Sequence, residues 1–372
     1  MKKALIIGGG FAGCAMAHQL EMLGGWDTIM VEAAPYLGAG NRTKWYGGHP
    51  YTFGPRHFLT KDAHLFEFLN KYVPLRRCEE LTYLSYVESD QQFYNYPIHR
   101  DDIFKMPECE KILQEVTSCN SSTGAKNFEE HWIGQVGQIL YDKFMNRYTK
   151  KMWGVDSNRE IDDPYVLRVA NKDSRLKEGA KAAFIDCFSA YPYATNGYDD
   201  YFEISTRNAT VMLSTTIETY DIPKKTVMIN GERLTFDIIV NTISPDILFD
   251  YKYGELKYVG IDLLLLVLPV ELCFPDTVAF LYYPNDEAFK RIVEYKRFTN
   301  HVAPTTLLGI EVPNKLKKHY PMPIISEQDK AGLYFNDMPE GVFSIGRAGS
   351  YRYEVDIDDC ILQAMKVTEK IK

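Results

Sequence analysis

A short apolar stretch and the glycines behind it constrain the fold of this chain more than any other feature. Residues 4–7 (ALII) are apolar enough for a buried parallel strand, and Gly8, Gly10 and Gly13 follow at once in the spacing Gly-x-Gly-x-x-Gly. A helical stretch comes next, and then a second predicted strand that ends in Glu32. The order of strand, glycine turn, helix, strand and acid predicts a βαβ unit that binds a dinucleotide.

The glycines and the acid meet the requirements of a bound pyrophosphate and its ribose. Gly8 permits the tight turn, Gly10 has no Cβ to block the pyrophosphate, and Gly13 lets the helix pack against the sheet. The exposed amides of the first helical turn and the helix dipole favour the phosphates. Glu32, nineteen residues after Gly13, is expected to accept hydrogen bonds from the ribose hydroxyls.

A second glycine-containing segment favours FAD over NAD as the dinucleotide. Residues 33–41 (AAPYLGAGN) place glycines where the chain must pass close to a nucleotide or flavin, as in the second glycine motif of amine-oxidase-like flavoproteins. No second Gly-x-Gly-x-x-Gly occurs, so we predict a single FAD-binding domain. The predicted cofactor contacts in the two segments are Gly8, Gly10, Phe11, Ala12, Gly13, Glu32, Gly40 and Asn41.

Later segments are expected to return to this domain and make it discontinuous. Residues 226–242 predict a hairpin and a buried strand, with Asn230 and Gly231 as the preferred pair of a type I′ turn. Residues 341–347 predict a strand that leads into a glycine turn, and residues 357–371 predict a closing helix. The predicted α/β protein has a Rossmann-like FAD-binding domain made of residues 1–75, 205–245 and 335–372.

The intervening residues predict a helical bundle and a layer of mixed or antiparallel sheet. Within the helical stretch, Asn127 and Glu130 resemble a capping box at the start of an apolar-periodic helix. Residues 261–269 predict an apolar strand of the sheet layer. The helical domain is assigned to residues 100–155, and the sheet and substrate domain to residues 76–99, 156–204 and 246–334.

Charge and cysteine content argue against several classes of function. The formal net charge of -8 does not favour nucleic acid or anionic lipid as a partner. The seven cysteines are scattered without a Cys-x-x-Cys pair, which argues against a metal site and favours free thiols in a reducing cytoplasm. The apolar run at residues 263–267 lies between Asp262 and Glu271 and is far too short for a membrane span.

Several motifs in fixed order resemble those of the UDP-galactopyranose mutase family and extend over nearly the whole chain. Residues 148–154 (YTKKMWG) are similar to the family signature Tyr-Thr-x-Lys-x-Trp-Gly. The other matching segments are 53–60 (FGPRHFLT), 95–97 (NYP), 249–254 (FDYKYG), 291–294 (RIVE) and the closing Gly346, Arg347, Tyr351, Tyr353 and Asp356. Multi-residue motifs in a fixed order are far more specific than a glycine fingerprint alone.

The resemblance implies an isomerase that interconverts the pyranose and furanose forms of UDP-galactose without net redox change. It implies reduced FAD as the active cofactor, with flavin N5 as the nucleophile at the anomeric carbon. Covalent catalysis of this kind divides one difficult rearrangement into easier steps. The departing diphosphate must be stabilised and held for the return step, which calls for arginines.

The resemblance also implies roles for individual residues. Arg168 and Arg291 are the expected diphosphate ligands, Tyr320 and Tyr353 are expected to donate to the diphosphate, and Arg347 is expected beside the flavin. For any single tyrosine in a chain with 26 of them, core packing is the competing interpretation. The remaining residues predicted to bind or position the substrate are Asn95, Tyr148, Trp153 and Asp356.

The histidine pattern of residues 53–60 departs from that of the family. Arg56 and Leu59 stand where the family usually has histidines, and His57 falls between them. Three interpretations follow: His57 replaces a missing histidine, Arg56 takes over near the flavin and sugar, or the pocket differs because the substrate differs. A long donor such as Arg56 can reach an acetamido carbonyl, so UDP-N-acetylgalactosamine is a candidate substrate beside UDP-galactose.

Two other classes of function compete with the mutase, which we expect to act as a homodimer. An amine-oxidase-like redox flavoenzyme shares the fold signals but does not account for the set of arginines and tyrosines. A flavin-binding protein without catalysis is consistent with the altered histidines.

Overall fold

A computed structural model describes residues 1–119, 124–161 and 176–372 of the chain. In chain order, its strands are β1 (Lys2–Ile7), β2 (Trp26–Val31), β3 (Lys44–Tyr46), β4 (His49–Tyr51), β5 (Phe58–Thr60), β6 (Leu75–Arg77), β7 (Thr82–Val87), β8 (Gln92–Tyr96), β9 (Phe188–Pro192), β10 (Thr210–Met212), β11 (Thr219–Asp221), β12 (Thr226–Ile229), β13 (Glu232–Thr235), β14 (Ile238–Asn241), β15 (Tyr258–Leu268), β16 (Val278–Tyr282), β17 (Arg291–Glu294), β18 (Thr306–Asn314), β19 (Tyr320–Pro321) and β20 (Val342–Ser344). The helices are α1 (Phe11–Leu23), α2 (Ala63–Tyr72), α3 (Arg100–Ile103), α4 (Cys109–Ser118), α5 (Phe128–Val136), α6 (Gln138–Tyr141), α7 (Arg147–Trp153), α8 (Asp199–Thr206), α9 (Lys296–Thr299), α10 (Ile325–Asn336), α11 (Gly346–Gly349) and α12 (Ile357–Ile371).

A parallel sheet in the order β10-β2-β1-β14-β20 forms one layer of the protein. Its central strand explains the continuous apolar run near the start of the chain, because side chains of a strand alternate between two covered faces. Ala4 and Ile6 belong to the core that includes α1 and α12, whereas Leu5 and Ile7 pack in the core that includes β12. The predicted α/β class is confirmed, and the sheet is assembled from three separate stretches of chain.

The elements predicted after residue 225 are also present. Strands β12 and β13 pair as an antiparallel hairpin, and Asn230 and Gly231 both have positive φ values, 51° and 75°, as a type I′ turn requires. Strand β14 is buried along its whole length. Helix α12 covers the predicted residues 357–371 and packs against α1.

A mixed sheet in the order β19-β15-β18-β17-β16-β7-β8 forms a second layer. Its pairings are antiparallel except for β16 with β7. Aromatic and aliphatic side chains on one face, including Tyr83, Phe280, Val293 and Leu307, form a buried core. The long apolar strand β15 lies within this sheet, and among the described residues no helix has the length and apolar character needed to cross a bilayer.

Helices α3 to α7 form a third layer whose core is rich in large side chains. A π-helical turn at Asp142–Asn146 joins α6 to α7, a type of irregularity that is often found near functional sites. Asn127 caps α5 by accepting from the amide of Glu130 at 3.0 Å. The expected capping box is only half formed, because Glu130 accepts from the amide of Lys126 and not from that of Asn127.

A small sheet in the order β5-β9-β6 connects residues that the sequence assigned to different domains. Phe58 of β5 pairs with Ala190 of β9, and Leu75 of β6 pairs with Pro192 of the same strand. This pairing places the residues just before β5 between the parallel sheet and the mixed sheet.

Candidate active site

Close contacts at two positions of the first glycine turn leave no room for a side chain. A Cβ on Gly13 would lie 2.0 Å from the carbonyl oxygen of Gly8, and one on Gly8 would lie 2.4 Å from Oγ1 of Thr242. At Gly10, by contrast, the nearest atom to such a Cβ is that of Ala39 at 3.7 Å. Contacts within the protein therefore do not require glycine at position 10. The space above this part of the turn is open to a ligand.

Helix α1 begins directly behind this turn, without a side-chain cap and without an acidic residue in its first turn. The first amides of a helix, here including those of Phe11 and Ala12, have no intrahelical acceptor. Glu32 braces the turn, because its carboxylate accepts from the amides of Gly9 at 2.6 Å and Ala34 at 2.7 Å. Each carboxylate oxygen has a second lone pair that can still accept from a ribose hydroxyl.

The second glycine segment packs on the first and is flanked by polar atoms that need partners. The amide of Gly38 donates to the carbonyl of Gly9 at 2.8 Å, which joins the two segments. Oδ1 of Asn41 and Nε of Arg56 are buried and have no hydrogen-bond partner among the described residues. The Arg56 guanidinium lies 3.1 Å from the position that a Cβ on Gly40 would take. A polar cofactor lying along this segment would satisfy both atoms.

A cavity of about 290 Å³ opens beside these segments and takes walls from all three layers. Most of the predicted catalytic and substrate-binding side chains line it: Arg56, His57, Tyr148, Trp153, Arg291, Tyr320, Tyr353 and Asp356. Arg347, which was predicted to lie beside the cofactor, lines it as well. It is also lined by residues that the sequence did not single out, notably Tyr96, Thr149, Lys177, Tyr282 and Lys290.

Two predicted residues are not part of the cavity wall that the structure describes. The side-chain amide of Asn95 donates to Asp102 at 2.6 Å, and its backbone amide donates to the same carboxylate at 2.7 Å. Asn95 therefore holds β8 against α3 and is absent from the described lining of the cavity. Arg168 lies outside the described residues.

A buried carboxylate holds the two cations on one wall of the cavity. Glu311 is fully buried, and its oxygens lie 2.8 Å from Arg291 and 3.0 Å from Nζ of Lys290, which is itself 3% exposed. Burial acts to raise the pKa of Glu311, but Arg291 and Lys290 outweigh it and lower that pKa to about 2. Arg291 also lies over the ring of Phe280, 4.8 Å from its centroid. The wall keeps one positive charge that Glu311 does not neutralise.

Another part of the cavity combines an ion pair with aromatic rings. Arg347 donates through Nε to the carbonyl of Val355 at 2.9 Å, and its Nη2 lies 3.2 Å from Asp356 at the start of α12. Its guanidinium lies 5.6 Å from the ring centroid of Tyr320 and 5.7 Å from that of Tyr353. The ring of Trp153 meets Tyr353 edge-on at 4.8 Å. Arg347, Tyr320, Tyr353 and Trp153 all line the cavity.

The segment with the altered histidines lies at the meeting point of the two sheets. His57 is buried, and its ring is 5.5 Å from that of Phe184 and 5.3 Å from that of Phe298. A further histidine, which the sequence did not single out, lies nearby: His319 packs against Phe53 at 4.6 Å. Burial, with smaller effects from Lys317 and Arg56, lowers the pKa of His319 to about 4.

The fold and the cavity together define a Rossmann-type α/β protein with a cavity lined by cationic and aromatic side chains. A sequence model described as "UDP-galactopyranose mutase" matches residues 143–353, and one described as "NAD(P)-binding Rossmann-like domain" matches residues 6–72. The chain belongs to the UDP-galactopyranose mutase family and is an enzyme of the mutase, or isomerase, type.

Similarity to known relatives extends over almost the entire chain. A dTDP-fucopyranose mutase from Escherichia coli is 24% identical over 397 residues, covering 99% of this chain and 98% of the relative. A probable UDP-galactopyranose mutase from Klebsiella pneumoniae is 22% identical over 395 residues, covering 99% and 94%. A crystal structure of reduced UDP-galactopyranose mutase shares the fold with a TM-score of 0.81 and 18% identity, covering 100% of this chain and 94% of that one.

Proposed function

We propose that this protein is a flavin-dependent nucleotide-sugar mutase that interconverts the pyranose and furanose forms of a UDP-linked galactose or N-acetylgalactosamine. The observation that carries this proposal is the pair of cations, Lys290 and Arg291, held on Glu311 in a cavity next to a dinucleotide cradle. Family membership supports the same class of reaction.

The cofactor that best fits the two glycine segments is FAD in its reduced form. Such a cofactor would use the open space at Gly10 and the amides at the start of α1, and it would meet Oδ1 of Asn41 and Nε of Arg56, which have no hydrogen-bond partner among the described residues. Arg347 also lines the cavity, and its positive charge would favour a negatively charged reduced flavin. When bound, the reduced flavin supplies a nucleophilic nitrogen for attack at the anomeric carbon of the sugar.

The cavity residues would retain the nucleoside diphosphate while the sugar rearranges. Arg291 and Lys290 offer N–H donors and positive charge in a partly dry site, where charge stabilisation is stronger than in water. Tyr320 and Tyr353 offer neutral hydroxyl donors next to Arg347. Holding the leaving group in place keeps its return to the anomeric carbon effectively unimolecular.

The aromatic wall of α7 would cover the nucleoside and the sugar. Tyr148 and Trp153 line the cavity from this helix, and Tyr148 lies 5.8 Å from Tyr282 on the mixed sheet. Rings at this position bury apolar surface and exclude water, which protects an activated sugar from hydrolysis. We retain Arg168 as a second diphosphate ligand on the strength of the family resemblance.

The identity of the sugar is proposed to depend on Arg56. Its side chain lies beside Gly40 and also lines the cavity, so it would be within reach of a cofactor along that segment and of a sugar in the cavity. The relative from Escherichia coli is named for a dTDP-linked fucose, so nucleotide sugars other than UDP-galactose belong in the same test. An acetamido carbonyl on the sugar would accept from Arg56.

The decisive experiment is to incubate the dithionite-reduced protein with UDP-galactose, UDP-N-acetylgalactosamine or dTDP-fucose and to separate the products chromatographically. We expect furanose product only after reduction, with the N-acetyl sugar accepted. Arg56→His should favour the unsubstituted sugar at the expense of the N-acetyl sugar. Absence of N-acetyl product with the wild type would remove the role of Arg56, and peroxide formation from amines without isomerisation would favour the oxidase alternative.

Arg291→Ala is the matched test of the diphosphate site. It should retain the flavin absorbance, because Arg291 lies on the mixed sheet and not at the glycine turn, and it should lose most turnover. Wild-type turnover in this variant would show that the site assignment is wrong. We also propose a homodimer, for which light scattering should give a mass near twice the 42.8 kDa of one chain.

A further inference from the structure

The ammonium group of Lys151 lies inside a ring of backbone carbonyls. Lys151 Nζ is 2.8 Å from the carbonyl oxygen of Tyr283, 3.0 Å from that of Asn285 and 2.9 Å from those of Glu287 and Phe289. Its side chain is only 15% exposed, and the carboxylate of Glu287 lies 3.7 Å away. An ammonium group has three donor hydrogens, and four carbonyl oxygens lie within hydrogen-bond distance of it. This one loop can therefore accept all of its hydrogen bonds.

The loop that surrounds Lys151 connects β16 to β17 and leads directly into Lys290 and Arg291. Carbonyls from every second residue converge on one point, an arrangement that requires a cation or several donors at its centre because aligned carbonyl dipoles repel one another. The loop has further anchors: Asn285 donates to the carbonyl of Tyr86 at 3.1 Å and accepts from the amide of Glu88 at 3.2 Å, and Asp286 forms an exposed ion pair with Arg147. Lys151 is distinguished from these by its buried position at the centre of four carbonyls, which would face one another without a donor between them.

Another wall of the cavity is formed by helix α7, which brings Lys151 to this loop. Its neighbours Tyr148, Thr149, Met152 and Trp153 line the cavity, whereas Lys151 does not. One side of the helix therefore faces the cavity, and Lys151 on another side donates hydrogen bonds to the loop. The contacts of this ammonium group, beside the exposed ion pair of Arg147 with Asp286, join the aromatic wall to the wall that bears the two cations.

We propose that Lys151 is a positioning residue whose ammonium group fixes the loop of residues 283–289 to α7 and thereby aims Lys290 and Arg291 at the diphosphate of the substrate. This inference rests on the proposed function for the identity of the ligand, whereas the ordering of the loop is independent of it. Lys151 does not touch the substrate space and acts through the loop.

The test compares Lys151→Met, which keeps the length of the side chain and removes its donors, with Lys150→Met on the same helix. The side chain of Lys150 makes no hydrogen bond or ion pair within the described residues, so its substitution controls for loss of a lysine from α7. Two quantities are measured on the flavin-loaded proteins: hydrogen–deuterium exchange of the peptide that covers residues 283–290, and the Kd for UDP by calorimetry.

In Lys151→Met we expect exchange in this peptide to rise at least tenfold and the Kd for UDP to rise about tenfold. KM for the nucleotide sugar should rise by a similar factor, while kcat stays within about threefold. Lys151→Arg, which keeps the charge and several donors, should recover most of the affinity, and Lys150→Met should match the wild type. General loosening of the fold would raise exchange throughout α7 and the mixed sheet instead.

Two results would overturn the proposal. In the first, the loop of Lys151→Met exchanges as slowly as that of the wild type. In the second, the loop exchanges faster but the Kd for UDP is unchanged. If Lys151→Met does not fold, Lys151→Gln is measured in its place, and an unchanged Kd has the same meaning there. A wild-type protein that binds no UDP contradicts the proposed function; the exchange of residues 283–290 then decides the positioning role alone.

Discussion

The guanidinium group of Arg291 lies 2.8 Å from the carboxylate of Glu311, its direct cross-strand neighbour on β18. Lys290 shares the same carboxylate at 3.0 Å. Because Glu311 is completely buried, these charges are compensated by one another and not by water. One buried acid thus holds two cations at the cavity wall. A substitution of Glu311 is therefore expected to affect both cations and the stability of the fold.

Glu311→Gln should destabilise the protein by about 3 kcal/mol or more, since removing one member of a buried ion pair leaves uncompensated charge in the interior. Urea denaturation of both proteins measures this difference. Glu255→Gln is the matched control, because its pair with Lys318 is solvent-exposed and is expected to contribute less than about 1 kcal/mol. Equal losses in the two variants would contradict the importance assigned to Glu311.

Gly13→Ala should remove flavin binding and lower stability by about 2 kcal/mol or more. The new Cβ would overlap the backbone oxygen of Gly8, which cannot move aside as a flexible side chain can. Flavin absorbance after purification and the midpoint of thermal unfolding report the two effects. Gly332→Ala is the control: a Cβ there meets nothing within 4 Å, and alanine in helix α10 should stabilise the protein by about 0.5–1 kcal/mol.

Lys290→Met should weaken UDP binding at least tenfold, because a hydrogen bond to a charged group contributes about 1.5–3 kcal/mol. Glu311 keeps Arg291 as a partner, so the fold should survive this change. Calorimetric titration with UDP measures the loss. The control is Lys252→Met, which removes an exposed lysine paired with Asp337 and should leave the affinity for UDP unchanged. Wild-type affinity for UDP in Lys290→Met would show that the diphosphate does not bind at Lys290.

His319 should make the protein sensitive to mild acid. Its folded-state pKa of about 4 lies below the ordinary value of 6.5. As the pH falls from 6.5 to 4, the imidazole becomes protonated in the unfolded chain while it stays neutral in the folded chain. The free energy of unfolding should therefore fall over this window, by on the order of 1 kcal/mol once screening by solvent is allowed for. Nδ1 of His319 accepts from the amide of Ile261 at 3.1 Å, which a second ring proton would prevent.

His319→Gln, whose side-chain oxygen can accept from the same amide, should show a smaller drop in Tm between pH 7 and pH 5 than the wild type. His64→Gln, at an exposed position on α2, serves as the control and should retain the wild-type drop. If Tm falls between pH 7 and pH 5 by the same amount in His319→Gln as in the wild type, the acid sensitivity must come from other groups.

Part of the candidate site follows from short-range requirements that can be recognised in the sequence. The overlap between a Cβ at Gly13 and the oxygen of Gly8, and the two positive φ values at Asn230 and Gly231, arise within a few residues of chain. The fold class and the family were predicted for this reason, since each depends on local motifs in a fixed order. The α/β class and the family resemblance are both confirmed.

Other parts depend on partners that are distant in the sequence. Asn95 belongs to a motif match, but the fold places Asp102 against its amide and so keeps it out of the described cavity wall. Lys151 stands inside the most specific motif of the chain, yet its four carbonyl partners lie more than 130 residues away. No periodicity or spacing in the sequence specifies such contacts.

The glycine spacing and the ordered motifs by themselves determined the dinucleotide-binding turn, the fold class and the family of this protein. Only the tertiary structure decided that Lys290 joins Arg291 on Glu311, that His319 lies beside Phe53 and that Lys151 holds the loop of residues 283–289. The reason is physical: backbone sterics act between neighbours in the chain, whereas strand register and the pairing of buried charges are set by the packing of the whole molecule.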